Sequence, residues 1–127
     1  KNRKIEKTIL RQQNAKLNQH KKQDLNKVAK HPQNKKKLFI YECDASNEYD
    51  VLNFFNQVRK KTKKIDALIN NVGVAGPTGN LEKLSSEDWE NTLKINVISH
   101  FYFTKLSIPM LKKSKGGAII NMSSGAG

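Results

Sequence analysis

Apolar and polar positions along this chain alternate between two periods. Ile65-Asp66-Ala67-Leu68-Ile69-Asn70-Asn71-Val72-Gly73 sets four apolar side chains in its first five positions and closes on two amides and a glycine. That pattern predicts a short strand buried on both faces that stops at a turn. Leu38-Phe39-Ile40-Tyr41-Glu42-Cys43 and Ala118-Ile119-Ile120-Asn121-Met122 read in the same way, ended by Asp44-Ala45-Ser46 and by Ser123-Ser124-Gly125-Ala126-Gly127. Over residues 47–59 the period changes: Val51, Phe54, Phe55 and Val58 fall at the i, i+3, i+4, i+7 spacing of an amphipathic helix. Residues 74–84 form a loop with a turn at Gly76-Pro77-Thr78-Gly79. Ser85-Ser86-Glu87-Asp88 then predicts a capped helix start, with Ser85 accepting from first-turn amides and Asp88 complementing the dipole. The helix that follows carries two stripes, Trp89, Leu93, Val97, Phe101 and Ile98, Tyr102, Leu106, broad enough to face both a sheet and a neighbour, with Pro109 in its last turn.

The order β-α-β-α-β predicts an α/β fold, part of a doubly wound parallel sheet in three αβα layers with about three strands here and right-handed crossovers. Ligands of such sheets bind beyond the carboxyl ends of the strands, which singles out Asp44, Asn70 to Gly73, and Ser123 with Ser124.

Residues 1–37 differ from the rest. They are rich in Lys, Gln and Asn, with apolar residues only loosely at helical spacing, and predict an exposed helix to about Lys30, broken near residues 18–22 and ended at His31-Pro32-Gln33-Asn34. Of the net charge of +13, they carry 13 Lys and Arg against Glu6 and Asp24, a net of +11 that leaves +2 for the remaining 90 residues. The chain thus divides into a basic helical segment, 1–37, and an α/β domain, 38–127. A nucleic-acid contact is the functional reading of the segment, but no aromatic residue is interleaved for base stacking, so a solvated surface without specific nucleic-acid or membrane binding is expected. No apolar run approaches the length needed to span a bilayer. A single cysteine, Cys43, excludes an intrachain disulfide and a cysteine-type metal cluster, which suits the cytoplasm.

Asp44-Ala45-Ser46, Asn70-Asn71-Val72-Gly73, Lys94-Ile95-Asn96-Val97 and Gly117-Ala118-Ile119-Ile120-Asn121-Met122-Ser123-Ser124, in this order and context, resemble the short-chain dehydrogenase/reductase family over residues 38–127. Val72 stands where the family's Asn-Asn-Ala-Gly motif has Ala. The resemblance implies a partial Rossmann-like domain that binds NAD or NADP and an enzyme that interconverts a small-molecule carbonyl and a secondary alcohol. Asp44 would bond the adenine ring, with Ala45 beside it. Asn71 and Gly73, with Val72 between them, would line the adenosine ribose. Ser124 would polarise the substrate carbonyl or hydroxyl, and Asn96 would hold a water of the proton relay through its helix. Read singly, Asp44 also suits a helix-capping turn, Asn96 an exposed polar position and Ser124 an ordinary loop.

Two family features are missing. No Gly-rich phosphate loop precedes residue 38; Gly73, Gly76 and Gly79 are spaced by three and follow a later strand. The family's catalytic Tyr has a Lys four residues on, whereas Tyr41, Tyr49 and Tyr102 are followed at that spacing by Ala45, Asn53 and Leu106. An internal fragment of a longer, homo-oligomeric enzyme is therefore expected, inactive by itself. A cofactor-binding scaffold without catalysis and a nucleic-acid module are the alternatives.

Overall fold

The computed structural model describes residues 39–124, so the expected basic helix and the boundary at residue 38 lie outside the described residues. Helix α1 spans Glu48–Lys61, strand β1 Ala67–Asn70, helix α2 Ser86–Leu93, and helix α3 Ser99–Leu111 after a π-helical turn, Lys94–Ile98; strand β2 is Ala118–Asn121. A short 3-10 turn, Leu81–Lys83, lies in the loop before α2, where Gly79 takes φ 143°, open to glycine and strained for other residues.

The α1 spacing holds in full. Val51, Phe54, Phe55 and Val58 are all buried, and Asn47 caps the helix by accepting from the Tyr49 and Asp50 amides. Ser85 caps α2: its Oγ accepts from the Asp88 amide at 3.1 Å and donates to Asp88 Oδ2 at 2.7 Å.

β1 and β2 pair in parallel, Leu68 beside Ile119 and Asn70 beside Asn121, so the two strands end at one edge. α3 is the helix that meets both strands, and α1 packs against α3. The core joins these layers through Phe54, Phe55 and Phe103, whose ring centroids lie 5.3–5.8 Å apart, together with Leu68, Ile65, Met110 and Leu111. The arrangement is part of a doubly wound α/β fold.

The first expected strand is corrected. Residues 39–43 run without regular pairing, and β1 is hydrogen-bonded to β2 alone among the described residues. Phe39, Tyr41 and Cys43 pack against the core from that segment, with the Tyr41 ring 5.8 Å from that of Phe54. Apolar content thus buries the segment, but a strand also needs a partner ladder.

The long helix differs too. Trp89, Leu93, Val97, Ile98 and Phe101 are exposed, Tyr102 and Leu106 of the second stripe pack half-buried against the core, and Ile95, Ser99, Phe103 and Ser107 face inward, both serines at 0% exposure. Their hydroxyls donate to Ile95 and Thr104 carbonyls of the same helix, at 2.6 and 2.9 Å, so two small satisfied side chains bring the helix close to its neighbours. Gly117 serves close packing as well, since a Cβ there would lie 2.7 Å from the Leu111 carbonyl oxygen. No described helix is long and apolar enough to cross a membrane.

Candidate active site at the strand ends

At the shared edge of the sheet the chain leaves β1 through Asn70-Asn71-Val72-Gly73 and leaves β2 through Asn121-Met122-Ser123-Ser124. Asn70 is 3% exposed, and its Nδ2 donates to Asn121 Oδ1 at 2.8 Å and to Thr104 Oγ1 of α3 at 3.3 Å. The Met122 amide donates to the Asn70 carbonyl at 2.9 Å, which carries the pairing past the last strand residue. The two exits are therefore held side by side, with Asn71, Gly73 and Ser124 exposed along them.

Asn96 fixes the far end of the first exit. Its Oδ1 accepts from the Val74 amide at 2.8 Å and its Nδ2 donates to the Val74 carbonyl at 3.0 Å. Asn96 is half-buried, and each of its amide atoms bonds the Val74 main chain. The π turn contributes: the Ser99 amide donates to the Lys94 carbonyl five residues back, and such an expanded turn re-aims the side chains it carries. Asn96→Leu should leave helix content unchanged, leucine being the better helix former, yet lower stability by about 1–3 kcal/mol for two lost hydrogen bonds. Chemical denaturation beside far-UV circular dichroism checks both halves.

Gly73 has no internal reason to lack a side chain. Its φ is not positive, and an added Cβ would meet only Asn96 Oδ1, at an ordinary 3.5 Å. A surface kept bare in this way fits the close approach of a ligand such as a dinucleotide.

Asp44 and Ala45 stand apart from these exits, at the end of segment 39–43. Asp44 Oδ1 accepts from the Ser46 amide at 2.9 Å and the Ser46 hydroxyl at 2.7 Å, and its amide donates to Asp50 Oδ2 at 3.4 Å, the geometry of a turn leading into α1. Ala45 is 1% exposed in the hydrophobic core, so the whole residue offers a ligand almost no surface in this structure. Cys43 beside them is no nucleophile: burial, then the charges of Asp50 and Asp44, push its thiol up to about 12, so it stays protonated at neutral pH. Among the described residues no three His, Cys, Asp or Glu side chains gather as a metal site.

Two residues of this region escaped the sequence reading. His100 Nε2 lies 2.9 Å from the Val72 carbonyl oxygen, and Thr104 meets Asn70. Their signal was available: Asn96, His100 and Thr104 are polar at four-residue spacing on a largely apolar helix.

Comparison with known proteins agrees with this geometry. A family model described as short chain dehydrogenase matches residues 3–127, reaching back into the basic segment. A 3beta-hydroxysteroid dehydrogenase of Mediterraneibacter gnavus is 35% identical over 86 residues, 68% of this chain and 31% of that protein. Aldohexose dehydrogenase of Thermoplasma acidophilum, solved ligand-free, superposes with a TM-score of 0.62 at 30% identity over 66% of this chain and 32% of that one. An NADH-dependent reductase complexed with NAD gives a TM-score of 0.63 at 25% identity over 68% and 38%. The chain spans about a third of the length of these relatives. With parallel strand ends, the Asn-Asn-Val-Gly turn and the Asn-bearing π turn all in the matched region, the chain belongs to the short-chain dehydrogenase family.

Proposed function

We propose that the protein carrying this chain is an oxidoreductase that uses NAD or NADP to interconvert a carbonyl and a secondary alcohol. The observation that carries this reading is the Asn70–Asn121 bridge, which holds the bare Asn71 to Gly73 turn and the Ser124 stretch along one carboxyl edge. A nicotinamide cofactor, when bound, supplies or accepts hydride. Asn71 and Gly73 would hold its adenosine ribose, with Val72 contributing main chain, and Asp44, with the buried Ala45 packed behind it, would meet the adenine.

Ser124 would donate to the substrate oxygen and orient the carbonyl. Both amide atoms of Asn96 already bond Val74, and its part in a proton relay would run through the main chain of the π turn. The Tyr and Lys that serve the family as general acid or base are not among these 127 residues, and by themselves these residues would turn over no carbonyl substrate. The working enzyme would be a cytoplasmic homo-oligomer, and the basic segment would contact no specific nucleic acid.

Fluorescence titration of the protein with NADH and with NADPH tests the reading. Saturable binding of one or both, competed by the oxidised form, is expected; saturation by neither overturns it.

A further inference from the structure

Asn96, His100 and Thr104 each reach a different point on the exit from β1. Asn96 bonds Val74, His100 bonds Val72, and Thr104 accepts from Asn70. Four residues advance a helix by about 6 Å, while two residues advance an extended chain by about 6.6 Å. The helix and the strand exit therefore keep step over three contacts, running in opposite directions. We infer that His100 is a positioning residue, the middle contact of a three-step polar ladder that sets the path of the Asn71 to Gly73 turn through the Val72 carbonyl.

The chemistry of that contact fixes the proton. A carbonyl oxygen can only accept, so Nε2 of His100 donates, and in the neutral ring Nδ1 is left without a proton. The His100 and Asn96 contacts go to main-chain atoms, and the Val72 carbonyl lies between the two residues that would meet the ribose. Without the His100 contact the turn would be pinned at Asn70 and Val74 and free to bow between them.

The effect on dinucleotide binding rests on the function proposed above; the effect on the turn does not. Three proteins serve the test: wild type, His100→Gln, which keeps a donor at similar reach, and His100→Leu, which does not. In the cofactor-free protein the His100 ring should be protonated at Nε2 by nitrogen NMR. Amide exchange at Val74, whose N–H donates to Asn96 Oδ1, should quicken about tenfold in His100→Leu and stay near wild type in His100→Gln, as one lost hydrogen bond predicts. Dinucleotide affinity should weaken about tenfold in His100→Leu and recover in His100→Gln, with kcat at saturating cofactor changed less than about threefold. A ring protonated at Nδ1 alone, or equal exchange in all three proteins, overturns the ladder. Should wild type bind neither dinucleotide, the function fails while NMR still decides the role of His100. If His100→Leu does not fold, the tautomer and a glutamine variant exchanging faster than wild type remain decisive, the latter against the inference.

Discussion

Ser124→Ala in the enzyme that contains this chain should lower kcat by about 10²- to 10³-fold, the usual loss when one preorganised donor to a developing oxyanion is removed. The serine stands exposed three residues beyond Asn121, on the exit that the Asn70 amide holds beside the Asn71 to Gly73 turn. Removing the hydroxyl leaves Asn70, Asn96 and His100 in place, so dinucleotide affinity should stay near wild type. Measuring kcat with cofactor Kd and Tm for both proteins separates the cases. Near-normal kcat in a stable variant would remove Ser124 from the chemistry, whereas a fall in Tm matching the fall in rate would make it a structural residue.

Phe54→Ala should cost about 3–5 kcal/mol, the range for deleting a fully buried aromatic side chain. Phe54 is 2% exposed and its ring meets those of Tyr41, Phe55 and Phe103, so it joins segment 39–43, α1 and α3. Domains have only about 5–15 kcal/mol in total, and the loss is a large share of that. Urea denaturation should show a lower midpoint with an unchanged slope, and Phe54→Leu should restore much of the difference because it refills most of the volume. Equal midpoints for wild type and Phe54→Ala would mean that the three-way aromatic contact does not hold these elements together.

Where burial alone determines structure, the chain was easy to read. The apolar spacing of α1 is its buried face, whereas the runs at Ala67–Asn70 and Ala118–Asn121 form the parallel strands without the expected burial on both faces: β1 is fully buried only at Leu68 and Asn70, and β2 is exposed throughout. Segment 39–43 shows the limit of that logic: hydrophobic side chains bury it, but pairing depends on which neighbour lies alongside, and composition does not encode that. The helix after Ser85 misled for a different reason. Its inward face alternates Ile95, Ser99, Phe103 and Ser107, and a buried serine that bonds its own helix looks, in a string of letters, like a surface residue. Meanwhile the exposed Trp89, Leu93, Val97 and Phe101 supply the more conspicuous stripe. The site was half visible. The Asn-Asn-Val-Gly turn and Asn96 stand out as motifs, but that Asn96 clasps the Val74 main chain, and that His100 and Thr104 join it, depends on the π turn, which no residue type announces.

Because Asn96 and His100 grip main-chain atoms of Val74 and Val72, the turn is recognised by its length and not by its side chains. This accounts for Val72 in the place of the family's alanine: an isopropyl group enters a position whose carbonyl is the part in use. Swapping residues at 72 or 74 among those of ordinary backbone preference is thus a small perturbation, while adding or removing one residue between Asn70 and Val72 is a frameshift in space, detaching His100 and Asn96 together even though every other letter of the sequence is unchanged.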